Sequence, residues 1–465
     1  MSLSLAQRLG LLAGLALMAL ALLVPPPPGL SPEGWRTLGL GLAMAVWWST
    51  EPVPIAVTSL MPVLTLPLMD VVSLSDAAAP YANSLVFLFL GGFLLAAAVE
   101  RHGLHRRLAY HVLRLAGASP RRLLAGFLLS TALLSMWISN TAAVMLMLPV
   151  ALAVTRDPLQ PRVLAAPLLL SLAYGASIGG SGTLIGTPPN ALMAAWLAES
   201  QGIDLGFAHW MALALPFVAL FLLLAWAWLG RGLPRGDAGQ GTAAPALQPG
   251  PAARPEWRVA ALFFAAALLW MTRPLLNHLP GLEALSDTGV ALGIALALFV
   301  VPRGDGQGPL MRWSDTGDLP WHVLLLFGGG LSLAGAMDAS GLAEWVGTGL
   351  AGLGGWPAVL ILLAISAAVV ALSELLSNTA LVAALLPVVG AIAAGTGLPV
   401  SSLAATVALA ASCAFMLPAG TPPNALVFAS GQLSVARMMR EGVVMNLVTL
   451  VLVTATILWL APLVL

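Results

Sequence analysis

The chain has 465 residues, 59% of them hydrophobic and 8% charged, with a mean hydropathy of +0.96. A soluble domain carries about 25% charged residues, so the composition excludes an ordinary water-soluble fold and fits a polytopic, all-α membrane protein embedded in a lipid bilayer. Nineteen basic residues, all arginine, balance nineteen acidic ones, so no net charge points to nucleic acid as a partner.

Taken in chain order, apolar spans of membrane length fall near residues 5–24, 35–50, 53–70, 83–100, 162–198, 209–229, 257–273, 285–302, 319–338, 399–430 and 441–463. The first, apolar from Gly10 to Val24 and followed by Pro25–Pro28, is expected to be a membrane helix. Only Arg8 precedes it and no clear A-x-A cleavage site follows. His105–Leu115 separates basic from apolar residues and is expected to lie in the membrane interface. The stretches 119–155 and 356–394 are too long for one crossing, and each fits a re-entrant helical hairpin. The spans 162–198 and 399–430 are also overlong and are expected to be broken helices. Gly230–Pro255, rich in Gly, Pro and Ala, is expected to be a flexible linker. The expected organisation is an N-terminal membrane helix (1–34), a first repeat (35–229), a cytoplasmic linker (230–256) and a second repeat (257–465).

Two polar strings occur twice. Ser139-Asn140-Thr141 returns as Ser377-Asn378-Thr379, and Gly186-Thr187-Pro188-Pro189-Asn190 returns as Gly420-Thr421-Pro422-Pro423-Asn424. The first pair is 238 residues apart, as are Gly91 and Gly329, Gly103 and Gly341, and Pro149 and Pro387. One constant offset across separate signatures indicates internal duplication. Segment 101–122 holds Arg101, Arg106, Arg107, Arg114, Arg121 and Arg122, whereas its counterpart 339–360 holds none. The positive-inside rule places the first in the cytoplasm and the second outside, so the repeats are expected to be inverted. With the N-terminus inside, every arginine but Arg36 and Arg273 falls on the cytoplasmic side. Eleven spans leave the C-terminus outside.

Ser, Asn and Thr offer hydroxyls and an amide that coordinate a cation through oxygen or donate to an anion. A lone copy is most simply a helix cap, but two copies at the centres of matched hairpins favour a binding site. In GTPPN the Gly frees the backbone, the Thr adds a hydroxyl, and the prolines remove N–H groups that would be stranded in lipid. Half-helix N-termini and unwound carbonyls beside them suit an anion and a cation respectively. No arginine lies in the interior of an expected span, so co-bound cations are the natural partner of a buried anion. Glu374 is the clearest ionisable residue at membrane depth; it fits an ion-site role and a hydrogen-bonding role equally. The glycines near Gly91 and Gly329 suit close helix packing rather than ligand contact.

With these residues in place, and with Ala411-Ser412-Cys413-Ala414-Phe415-Met416-Leu417-Pro418 leading into the second GTPPN, the chain resembles the divalent anion:sodium symporter family. It is most similar to the bacterial INDY-type dicarboxylate transporters. Ala419 stands where a larger aliphatic residue is usual, and Ser373 where Thr is expected. The resemblance implies about 11 transmembrane helices with two re-entrant hairpins, and a homodimer with a scaffold domain and a moving transport domain working as an elevator. It also implies sodium (Na+) as the co-transported ion with no organic cofactor. One sodium site would use Ser135, Ser139, Asn140 and the Gly186 backbone, the other Ser373, Asn378 and the Gly420 backbone. A small dicarboxylate anion would be held by Ser139, Asn140, Thr141, Thr187 and Pro188 from one half, and by Ser377, Asn378, Thr379, Thr421 and Pro422 from the other. The expected setting is the bacterial inner membrane.

Exchange of one dicarboxylate for another shares the same motifs, and a tetrahedral sulfate also suits hydroxyl and amide donors. Ser139 or Ser377 as a catalytic nucleophile has no support: the chain has no Lys, and no His falls beside either Ser. A single Cys413 and six scattered His without HExxH spacing give no metal-hydrolase motif, and no phosphate-binding loop of the ATPase type is present.

Overall fold

The computed structural model describes residues 4–117, 119–156, 160–234 and 250–465. Most of the expected Gly230–Pro255 linker, with Arg235, lies outside them. The first half of the chain forms α1 (Leu5–Leu23), α2 (Pro32–Thr50), α3 (Ile55–Thr58), α4 (Met61–Leu68), α5 (Leu74–Ala78), α6 (Ser84–Arg101) and α7 (Leu104–Ala116). It continues with α8 (Pro120–Ser135), α9 (Asn140–Arg156), α10 (Ala165–Gly180), α11 (Pro188–Gln201) and α12 (Phe207–Leu229). The second half forms α13 (Arg254–Leu276), α14 (Asp287–Val300), α15 (Trp321–Ala339), α16 (Leu342–Leu350), α17 (Ala358–Ser373) and α18 (Asn378–Thr396). It ends with α19 (Val400–Ala411), α20 (Pro422–Ala429), α21 (Val435–Trp459) and α22 (Ala461–Val464). No strand occurs among the described residues.

Local chemistry places these boundaries. Ser31, Asn83, Ser286 and Ser434 each cap the helix that follows, accepting a backbone N–H near its start. Prolines open α2, α8, α11 and α20, where the missing N–H would have had no partner. The expected span 53–70 is instead two short helices, α3 and α4, because Pro54 precedes the first, Pro62 lies in the first turn of the second and Pro67 sits inside it. The expected span 285–302 is the 14-residue α14, a length of about 21 Å against a hydrocarbon core of about 30 Å. Among the described residues, eight helical stretches are long and apolar enough to cross a bilayer. One of them is α18, an arm of an expected hairpin, so length alone does not separate a crossing helix from a returning one.

The duplicated sequence produces duplicated helices. α8 and α17 begin and end 238 residues apart, and α9 and α18 both open on the Asn of Ser-Asn-Thr. α11 and α20 both open on the first Pro of GTPPN. The copies then interlock rather than stand side by side: α9 packs on α20, α18 on α11, and α10 on α20. α6 of the first half packs on α14 of the second, while α15 packs on α3, α4 and α5. Two glycines at the same repeat position make both crossings possible. A Cβ on Gly91 would come within 2.7 Å of the Ala291 backbone, and one on Gly329 would overlap the Ser59 backbone.

Burial separates lipid-facing from enclosed helices. α1 buries only Gly10, Gly14 and Ala21, against α2, and leaves Leu9, Leu12 and Leu23 exposed. Every residue of α10 from Pro167 to Gly180 is buried. Phe415 joins the halves, with its ring 4.9 Å from that of Tyr174 and 5.6 Å from that of Phe221. α7 buries Ala109 and Leu113 against α8 and exposes Arg106 and Arg114, as an interfacial helix does.

Candidate functional site: two matched backbone breaks

Residues 181–187 between α10 and α11, and 412–421 between α19 and α20, are not helical. The first break is buried at every residue. Both end alike: Thr187 (φ −145°, ψ 139°) and Thr421 (φ −145°, ψ 150°) are extended immediately before the proline pair. Unwound backbone at membrane depth strands carbonyls and N–H groups that lipid cannot satisfy. The Asn closing each GTPPN supplies the missing partners. Asn190 Nδ2 donates to the carbonyls of Thr183 (2.8 Å) and Ser181 (3.2 Å), and Asn424 Nδ2 to those of Leu417 (3.0 Å) and Ala414 (3.1 Å).

In the first half this break meets the hairpin turn. Thr183 Oγ1 donates to the Met136 carbonyl at 2.6 Å, tying the break to the turn between α8 and α9. Ser135 Oγ lies 2.7 Å from the Ala176 carbonyl and also contacts Asn140 Oδ1. A hydroxyl has one proton, so it can satisfy only one of these two acceptors. The space is tight: a Cβ on Gly180 would sit 2.7 Å from Asn140 Oδ1 and 3.2 Å from the Gly186 carbonyl oxygen. A Cβ on Gly186 would overlap the Gly180 carbonyl and lie 3.0 Å from both the Ser135 carbonyl and Thr183 Oγ1. Ser135, Asn140 and Gly186 therefore converge on one knot of oxygens in which glycine alone fits at two positions. Ser139 stands beside it with its hydroxyl accepting from Ala142 N at 3.2 Å, which caps α9.

The second half has the same frame with a different filling. Ser373 Oγ donates to the Val370 carbonyl at 2.9 Å, and Asn378 Oδ1 is buried without a hydrogen-bond partner. Between them, at the position that Met136 holds in the first half, stands Glu374. Its Oε1 accepts from the backbone N–H of Phe415 and of Met416, both at 2.9 Å, and from Asn446 Nδ2 at 2.8 Å. Its Oε2 accepts from Leu417 N at 2.9 Å. A Cβ on Gly420 would be 2.9 Å from that same oxygen. Of the two roles open to Glu374, the structure shows the hydrogen-bonding one: it closes the donors freed by the second break.

Every helix that starts at the site starts on a motif residue. Asn140 opens α9, Asn378 opens α18, Pro188 opens α11 and Pro422 opens α20. Thr141 and Thr379 follow in the first turns of α9 and α18, half-buried, and Ser377 precedes α18. Thr187 and Thr421 are buried, and Thr421 Oγ1 accepts from Asn424 N at 3.2 Å. Four positive dipole ends thus lie at residues with free hydroxyl and amide capacity. Asn190, Asn424 and Asn446 were absent from the expected site. The first two were visible as the closing residue of each repeated string. Asn446, 72 residues beyond Glu374, left no local signal.

A helical membrane protein whose buried polar groups gather at paired half-helix N-termini has the build of a transporter, not of an enzyme. The chain belongs to the family described as the sodium:sulfate symporter transmembrane region, whose model matches residues 5–465. It is 37% identical over 475 residues to the sodium-dependent dicarboxylate transporter SdcS of Staphylococcus saprophyticus, covering 98% of this chain and 92% of that protein. Identity to SdcS of Staphylococcus aureus is 38% over 478 residues, with 99% and 92% covered. Among solved structures it is similar to the YdaH transporter of Alcanivorax borkumensis, with a TM-score of 0.60, 13% identity and 98% of each chain covered. MtrF of Neisseria gonorrhoeae, from a class of antimetabolite efflux pumps, gives a TM-score of 0.57 at 12% identity, with 98% and 95% covered. These two likenesses show the fold alone.

The Glu374 network leads to one expectation. Glu374→Gln replaces two acceptor oxygens with one and sets an NH2 against backbone donors. Loss of such charge-assisted bonds costs about 1.5–3 kcal/mol each, so the melting temperature of the purified protein should fall even when sodium is absent. An unchanged melting temperature would show that Glu374 does not hold the break.

Proposed function

We propose that this chain is a secondary active transporter that couples sodium to the symport of C4-dicarboxylates such as succinate, malate or fumarate, or of related di- and tricarboxylates, across the bacterial cytoplasmic membrane. The observation that carries this reading is the oxygen knot at Ser135, Asn140, Gly180 and Gly186, where acceptors outnumber protons. Neutral oxygens packed closely with few protons among them repel one another, and a hard monovalent cation offsets that repulsion. The buried and unpartnered Oδ1 atoms of Asn190, Asn378 and Asn424 have the same character. One sodium is assigned to Ser135, Ser139, Asn140 and the Gly186 backbone, and a second to Ser373, Asn378 and the Gly420 backbone.

The substrate is assigned to the helix N-termini beside these cradles: Ser139, Asn140, Thr141, Thr187 and Pro188 toward one carboxylate, and Ser377, Asn378, Thr379, Thr421 and Pro422 toward the other. Two similar ends suit a short anion charged at both ends. Each added cation offsets part of the cost of burying the dianion. The names of the SdcS relatives agree with both the ion and the substrate class. The matched helix boundaries and the arginine asymmetry support two inverted repeats, with the N-terminus cytoplasmic and the C-terminus outside. Alternating access then follows from movement of the hairpins and broken helices as a transport domain within a homodimer, in the elevator manner.

Uptake of labelled succinate into vesicles tests the site. It should need an inward sodium gradient that potassium cannot replace. Asn140→Ala and Asn378→Ala should each lower apparent affinity about tenfold to hundredfold, the cost of one hydrogen bond to a charged group. Parent-like uptake by either variant would overturn the assignment. Uptake without sodium that required an anion on the opposite side would replace symport with exchange.

Orientation is tested separately. Cys413 is fully buried and should leave a silent background for thiol labelling. A cysteine at Arg114 should react only from the cytoplasm and one at Thr348 only from outside. Reaction of both from one face would contradict the inverted arrangement.

A further inference from the structure

A second polar site lies away from both breaks, where α10, α12 and α21 leave the apolar layer. Arg231 follows α12, and Arg437 and Arg440 occupy the first turns of α21. All three gather on Glu441, which is 2% exposed: Arg231 Nη2 is 2.7 Å, Arg440 Nη2 3.2 Å and Arg437 Nε 3.3 Å from its carboxylate. Three guanidiniums share one carboxylate, so two positive charges remain unbalanced there. The Arg437 Nε–H is buried, and at 3.3 Å it is not aligned for a hydrogen bond to Glu441. Arg231 is held in place from two sides, with its guanidinium 3.6 Å over the Trp228 ring and Nη1 donating to the Trp228 carbonyl at 2.7 Å.

Beside this cluster is a cavity of about 250 Å³ whose remaining wall is apolar, built by Pro167 and Leu170 of α10 with Leu229 and Leu233. Pro167 is about 20 Å along α10 from the break at Gly180, so the cavity is separate from the transport site. Excess guanidinium charge suits a phosphate group, which arginine grips through paired N–H donors. The hydrocarbon wall suits the chain that a lipid phosphate carries and has no use to a soluble ion. Basic pockets between membrane helices at headgroup level are a known form of anionic-lipid site.

We propose that the cavity bounded by Arg231, Arg437 and Arg440 binds the phosphate headgroup of an anionic phospholipid, of the phosphatidylglycerol or cardiolipin type. Glu441 spaces the three guanidiniums and keeps them facing the cavity.

Native mass spectrometry of the full-length protein, released from nanodiscs of phosphatidylcholine with phosphatidylglycerol, should show retained phosphatidylglycerol. Arg437→Gln with Arg440→Gln should cut that retention about tenfold or more, since each lost charge-assisted bond is worth about a factor of ten. Gly232→Leu is a second variant that keeps all three arginines. Gly232 lines the cavity and a Cβ there meets nothing within 4 Å, so a leucine fits without disturbing packing and should displace the lipid as well. Arg106→Gln with Arg114→Gln removes equal charge from the exposed face of α7 and should leave retention unchanged. In pure phosphatidylcholine nanodiscs, millimolar inorganic phosphate should not raise the melting temperature. Stabilisation by phosphate without lipid retention would assign the site to a soluble phosphate instead. Equal retention in the parent and both cavity variants would overturn the proposal altogether.

Discussion

The structure depends on one constraint, which is that polar backbone exposed at membrane depth must find partners within the protein. Two helices are broken where a soluble protein would rely on water, and each break frees carbonyls and N–H groups at once. Much of what is conspicuous in the chain answers that demand. The proline pairs delete donors at the start of α11 and α20. Asn190 and Asn424 reach back to the carbonyls. Glu374 collects the donors of the second break. What remains after these partners are counted is a small surplus of oxygen, and that surplus is what an alkali cation can use.

The two halves meet the constraint differently, although α8 and α17 begin and end in register and the helices after them open on the same motif residues. In the first half the turn after α8 carries Met136, whose carbonyl accepts from Thr183, and the break closes through neutral groups. In the second half the same turn carries Glu374, a fixed negative charge beside Gly420. A carboxylate with four donors on it is already well satisfied. Its residual field still favours a cation nearby and disfavours an anion. The two proposed ion cradles are therefore related by duplication but are not expected to bind with equal strength.

Much of this was legible in the sequence, and the limits of that legibility have physical causes. Repeated strings, 238 residues apart at the hairpins and 234 at the breaks, marked both features, because the same Asn and Pro residues open helices in each half. The close crossings at Gly91 and Gly329 were legible as glycine positions, though not as contacts with Ala291 and Ser59. The split of 53–70 was written in Pro54, Pro62 and Pro67 but hidden by a hydropathy that stays high across all three. Glu374 was ambiguous because its partners lie 41 to 72 residues away in sequence. Arg437, Arg440 and Glu441 look like an ordinary charged helix start until Arg231, 210 residues earlier, is brought against them.

The central claim is that cation and anion occupy neighbouring cradles and stabilise each other's burial, so that neither binds well alone. Equilibrium binding tests this most directly: the Kd for succinate measured by calorimetry on purified protein, with sodium varied against choline at constant ionic strength. With two sodium ions taken up per anion, Kd should fall by up to about a hundredfold for each tenfold rise in sodium below saturation. The combined affinity for the two sodium ions should rise, when succinate is bound, by the same overall factor by which saturating sodium lowers the Kd for succinate. A Kd for succinate that does not change with sodium would contradict the account.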